Sequence, residues 1–233
     1  GGGGGADNSY DNQLVGYTND GSGGDGGGLI GGNATIAGMG LQTKEFGGAV
    51  WARVFYQDTS DGTYFTGDAD ALNSLKPNRF SILDKLDNFV NTSGKYEFML
   101  EYPGITGYNR WKQTKNPVNE IETNAGGTAA GYEPIHIDWK DPYGGGGLVR
   151  SSQPMALLDG NTNNGDWWFA IGQNRKYTED PTLMPGPHGI RVKKVELWVR
   201  VDSTEFNSST SNGGGLGTGG TQTSGYSIWQ GES

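Results

Sequence analysis

Lys194-Val195-Glu196-Leu197-Trp198-Val199-Arg200-Val201 decides how this chain folds. Val195, Leu197, Val199 and Val201 fall on one side of an extended chain. Lys194, Glu196, Trp198 and Arg200 fall on the other. Successive side chains of a strand point to opposite faces, so this is the pattern of a half-buried antiparallel strand. Two earlier stretches repeat it. Val50, Ala52, Val54 and Tyr56 alternate with Trp51, Arg53 and Phe55, and Tyr96, Phe98, Leu100 and Tyr102 alternate with Lys95, Glu97, Met99 and Glu101.

Shorter strand segments follow at 62–66, 107–113, 132–138, 147–151, 155–158 and 167–172. Turn-forming clusters separate them, at Asp58–Gly62, Pro142–Gly147, Asp159–Asp166 and Pro181–Gly189. Many short strands divided by such turns predict an all-β, antiparallel jelly-roll β-sandwich. One segment departs from the pattern. Phe80, Leu83, Leu86, Phe89 and Val90 recur at helical spacing, and Ser81 followed by Asp84 resembles a capping box, so a short helix is expected near 81–90.

The sandwich is expected to occupy residues 29–205, between two glycine-rich extensions. The N-terminal arm, 1–28, carries one apolar patch at Leu14, Val15 and Tyr17. The tail, 206–233, carries another at Tyr226, Ile228 and Trp229. Each patch can make a short strand on a coil-like tether.

Composition narrows the function classes. The 233 residues include 43 glycines but also 7 Trp, 11 Tyr and 8 Phe, more large rings than a disordered chain carries. A net charge of -9 repels phosphate, which argues against nucleic acid and anionic membranes as partners. No apolar run is long enough to span a bilayer, so membrane insertion is not expected. With no cysteine, disulfides and thiolate metal sites are excluded. The chain opens on Gly1–Gly5, and a processed, extracellular or cell-surface protein is expected. Sequons at Asn33, Asn91 and Asn207 are candidate N-glycosylation sites.

No catalytic constellation emerges. The two histidines, His136 and His188, lie in a strand pattern and in a Pro/Gly loop, and no nucleophile elbow or P-loop is present. Glu97 and Glu101 share a strand face, but four residues place their backbones about 13 Å apart, too far for a glycosidase pair. The chain is expected not to be an enzyme and to require no cofactor.

Two binding features stand out. Asp159, Asn161, Asn163 and Asp166 put oxygen ligands at near-alternate positions, as a calcium loop does; a polar hairpin loop reads equally from the same residues. Trp111, Trp139, Trp167 and Trp198 lie near strand ends or on mixed faces and are candidates to stack on a sugar. Of Trp167 and Trp168, adjacent in a strand pattern, one must point outward.

The segments Lys95–Pro103, Asn109–Gln113, Leu157–Gly160 with Trp167–Gly172, and Val195–Val199 resemble lectin-like jelly-roll modules of extracellular proteins, over roughly residues 46–202. The resemblance implies a binding or assembly role. The tethered end strands are similar in layout to the donor strands of polymerising pilins. Two functions are therefore expected. The first is a structural subunit of a filament or surface layer, in which Leu14–Tyr17 or Tyr226–Trp229 completes the sheet of another copy. The alternative is a carbohydrate-binding module or lectin that takes a glycan, with or without calcium.

Overall fold

The computed structural model describes residues 41–121, 127–140, 144–162 and 167–202. Leu14–Tyr17, Tyr226–Trp229, Asn33, Asn207, Asn163 and Asp166 lie outside them.

Strands form where the alternation is longest. β1 (Thr43–Phe46) turns back into β2 (Ala49–Asp58) through Gly47-Gly48. Both glycines have positive φ, +58° and +71°, as a two-residue hairpin requires. β3 (Ser74–Lys76) and β4 (Arg79–Ser81) form a second hairpin. β5 (Tyr96–Glu101), β6 (Asn109–Gln113) and β7 (Glu133–Ile137) follow as a meander. β8 (Val149–Arg150) pairs with β9 (Leu158–Asp159), and β10 (Met184–Pro185) with β11 (Arg191–Val192). β12 (Lys194–Arg200) closes the order.

The result is one eight-stranded antiparallel sheet, in the order β3-β4-β2-β12-β5-β6-β7, with two small hairpins beside it. β2 is its axis. One flank pairs with β12, and the other is shared end to end by β1 and β4. Trp198 opposes Arg53 while Leu197 opposes Phe55, which leaves Val54 as an extra, bulged residue.

The inner face packs Phe98, Leu100, Trp111, Leu197 and Val199 against Leu157, Phe169 and Ile171 of the connecting segments and against Leu83, Leu86 and Phe89. The second face departs from the expected half-buried strand. Trp51, Met99 and Trp198 form a further buried cluster there, so the central strands are buried on both sides. Its charges pair off. Glu97 accepts from Arg110 and Arg200, Arg53 bonds Glu196, and Lys44 bonds Glu101. Pairing is what makes burial of those groups tolerable.

Two expected strands, 62–66 and 167–172, are corrected, and the short helix expected near 81–90 is found as a 3₁₀ helix. Residues 62–66 form no strand, because their backbone engages a loop instead: Phe65 N donates to Gln173 O at 3.2 Å. The 81–90 segment is a 3₁₀ helix, Leu83–Phe89, without a side-chain cap, though it buries the predicted Leu83, Leu86 and Phe89. The one short α-helix among the described residues is α1 (Asp68–Leu72). Residues 167–172 contribute only a single bridge, Ile171 to Leu158.

Candidate functional site

The predicted tryptophans separate by burial. Trp111, on β6, is 3% exposed and donates from Nε1 to Gln113 Oε1 at 2.9 Å. Trp198, on β12, is 2% exposed beneath the Lys44 ammonium, 4.2 Å from its ring centroid. Trp167 is 8% exposed and packs on Ala156 and Ala170. These three rings are core, and a sugar cannot stack on them. Trp139 is half-buried, edge-on to Tyr102 at 5.2 Å, with its backbone clamped by the Asn109 amide.

Trp168 is the outward ring of the adjacent pair. The chain here is not a strand, so simple alternation does not decide the matter. Phe169 takes φ +54°, the one positive φ outside glycine among the described residues. That turn sends the Phe169 ring into the main core and leaves Trp168 half-buried at the surface. Trp168 lies edge-on to His188 at 5.2 Å and to Tyr177 at 5.7 Å, and the Arg191 guanidinium sits 5.9 Å from the Tyr177 ring centroid. No sequence period joins these four residues. The tip of the β10–β11 hairpin brings His188 and Arg191 to the other two.

Half of the loop read as a candidate calcium loop is described, and its Asp159 holds the local backbone. Asp159 is fully buried, and its Oδ1 accepts from Asn161 N at 2.8 Å and Trp168 N at 3.1 Å. Burial, and secondarily the Asp159 charge, push the Tyr102 hydroxyl well above its ordinary pKa. Among the described residues no three His, Asp or Glu side chains converge as metal ligands. Asn91 is 5% exposed, and its Oδ1 accepts from Ser93 N, Ser93 Oγ and Lys95 N. In this structure Asn91 therefore serves as a turn residue.

No protein family, curated protein or solved structure matches this chain. Function is therefore argued from its own surfaces.

The sheet edges are the second such surface. Arg53 N donates to Gln42 O at 2.8 Å, one pair beyond Thr43–Ala52 in the register. Antiparallel pairs alternate, so Lys44 and Phe46 bond to β2 while Thr43 and Glu45 turn N–H and C=O outward. Both residues are exposed, and nothing among the described residues pairs with that edge. On the far side, Thr114 N donates to Ala130 O and Asp138 N to Tyr108 O, which makes Lys112–Glu133 and Arg110–His136 the bonded pairs. Pro134 then faces outward, where its missing N–H blunts the edge, and a bulge follows. Leu75 on β3 and Ile135 on β7, 52% and 42% exposed, place apolar side chains at both margins of the sheet.

A cavity of about 300 Å³ lies beside Lys115, Glu120, Thr128 and Thr162. Glu120 Oε1 accepts from Ala130 N at 2.7 Å, while its Oε2 is buried with no hydrogen-bond partner among the described residues. Among the described residues no aromatic side chain lines it.

Proposed function

We propose that this chain is an extracellular structural subunit whose copies join by strand addition into a filament or surface layer. The observation that carries the reading is the difference between the β1 and β7 edges. β7 turns a proline outward, whereas β1 turns ordinary backbone outward at Thr43 and Glu45. An unguarded edge templates another strand.

The donor is an apolar patch on a glycine-rich arm, Leu14–Tyr17 first and Tyr226–Trp229 second. Strand donation from one copy to the next is head-to-tail and does not close unless its rotation does, so it propagates. The hairpins β8–β9 and β10–β11 serve in this reading as a reduced second layer of a jelly-roll sandwich.

The decisive variant is Glu45→Pro. Its N–H points away from β2, so proline there blocks an incoming strand without breaking the β1–β2 ladder. The full chain should sediment as a polymer and show regular filaments or sheets by electron microscopy. Glu45→Pro, and a chain lacking residues 1–28, should each remain folded monomers. A full chain that stays monomeric at high concentration, or Glu45→Pro polymers indistinguishable from the parent, would refute the edge reading. Loss of assembly only on removal of 226–229 would move the donor to the C-terminal arm.

A further inference from the structure

The geometry points to a second, independent binding site: the Trp168–Tyr177–His188–Arg191 cluster takes a pyranose that bears a carboxylate, as in a uronic or sialic acid unit of a glycan.

The cluster is held from below. Trp168 N donates to the buried Asp159 carboxylate, and Gly160 N donates to Trp168 O at 3.1 Å, so the backbone on both sides of the ring is pinned. Phe169 N donates to Gly186 O at 2.6 Å, which staples this segment to the β10–β11 hairpin. Gly186 has no space for a side chain, since a Cβ would lie 2.7 Å from Val192 Cγ1. Gly189, at φ +77°, lets the tip reverse, and Gly186 N closes it on Ile190 O at 2.9 Å. His188 and Arg191 therefore stand on a fixed tip beside a fixed indole. A rigid aromatic anchor loses little freedom when a ligand binds.

The strained backbone lies next to Trp168. A left-handed phenylalanine persists only where the surroundings hold it, and such positions gather at ligand clamps. Here it has a visible consequence. Three successive aromatic residues leave in different directions: Trp167 onto Ala156 and Ala170, Phe169 into the core, and Trp168 to the surface.

The ligand class follows from the chemistry of the four side chains. The half-buried Trp168 indole offers an apolar face to the C–H face of a pyranose, and Tyr177 and His188 flank that ring edge-on. Arg191 is exposed and makes no ion pair among the described residues, in a chain of net charge -9. A guanidinium fork suits a carboxylate. A neutral sugar would leave that cation unused.

The test is a titration of the full chain with trigalacturonate, 3′-sialyllactose and neutral maltotriose, followed by tryptophan fluorescence and calorimetry. At least one acidic sugar should bind more tightly than maltotriose, and which one binds identifies the source of the carboxylate. Trp168→Ala should weaken that binding about tenfold or more. Arg191→Gln, an exposed change that leaves the fold intact, should abolish the preference for acidic over neutral sugar. Failure of both acidic sugars to bind would overturn the proposal. So would equal binding of maltotriose with no effect of Arg191→Gln, or acidic binding that survives both variants.

Discussion

Arg53 and Glu196 lie 3.0 Å apart across the β2–β12 pair, each almost wholly withdrawn from water. The Arg53 guanidinium also sits 4.7 Å from the Tyr56 ring centroid, and Trp198 Nε1 donates to Glu196 Oε2 at 3.2 Å. Removing one ion upsets the charge balance of a low-dielectric layer. Glu196→Gln or Arg53→Met should each cost about 3–5 kcal/mol, whereas the paired replacement Arg53→Met with Glu196→Leu should cost much less. Urea unfolding of the four proteins measures this. Additive losses in the double variant would contradict it.

Proline scanning of β1 should show a two-residue period. Lys44 bonds to β2, so Lys44→Pro loses a ladder bond and should destabilise by about 1–3 kcal/mol. It also removes the ammonium that bonds Glu101 and covers Trp198. Glu45→Pro should stay within about 1 kcal/mol of the parent, because its N–H is not in the ladder. Thermal melts of monomeric protein would reveal the difference.

Two glycines with similar backbone should respond differently to alanine. Gly94 has φ +76° and open space around it, so Gly94→Ala carries only the left-handed penalty, about 1 kcal/mol. Gly147 has φ +101°, and a Cβ there would lie 2.6 Å from the Ala129 side chain. Gly147→Ala should cost about 2–4 kcal/mol, since overpacking adds to strain. Equal losses at the two sites would show that the Gly144–Gly147 segment yields.

Acid should weaken the fold through its loop carboxylates. The Thr63 hydroxyl and then the Thr63 N–H hold Asp61 below its ordinary value of 3.8. Asp180 is lowered in the same way by Thr182, and Asp138 by the Tyr108 N–H and then by His136. Burial pushes Asp58 up, but its hydrogen bonds from Ser60 and the neighbouring Lys194 outweigh that and lower it. Depressed folded-state values mean that the unfolded chain takes up protons first. Stability is therefore full above the unfolded value and is lost as pH falls below 3.8 through the folded values. The melting temperature should be flat above about pH 5 and drop below about pH 4, with a smaller drop in Asp61→Asn.

Much of the strand framework is legible in the sequence. The alternations at 194–201, 50–56 and 95–102 become β12, β2 and β5 within a residue or two. β3 and β4 escape detection because each has three residues, too few to show a period. Met184–Pro185 falls in the turn cluster Pro181–Gly189 and Arg191–Val192 is too short to show a period, so they form β10–β11 only because a hairpin pairs them. Trp111 and Trp198 mislead because a mixed strand face normally meets water. Here Lys44 covers Trp198, and the loops cover Trp111.

The sequence alone determined the strand class and the places of the long strands. These depend on side-chain period and residue type, which are local. Tertiary structure decided which tryptophan faces outward and, among the described residues, which backbone groups of β1 and β7 turn outward. Burial depends on what packs above a residue, and the outward turn of Thr43, Glu45 and Pro134 depends on the register of the neighbouring strand. Neither quantity is written within a single segment.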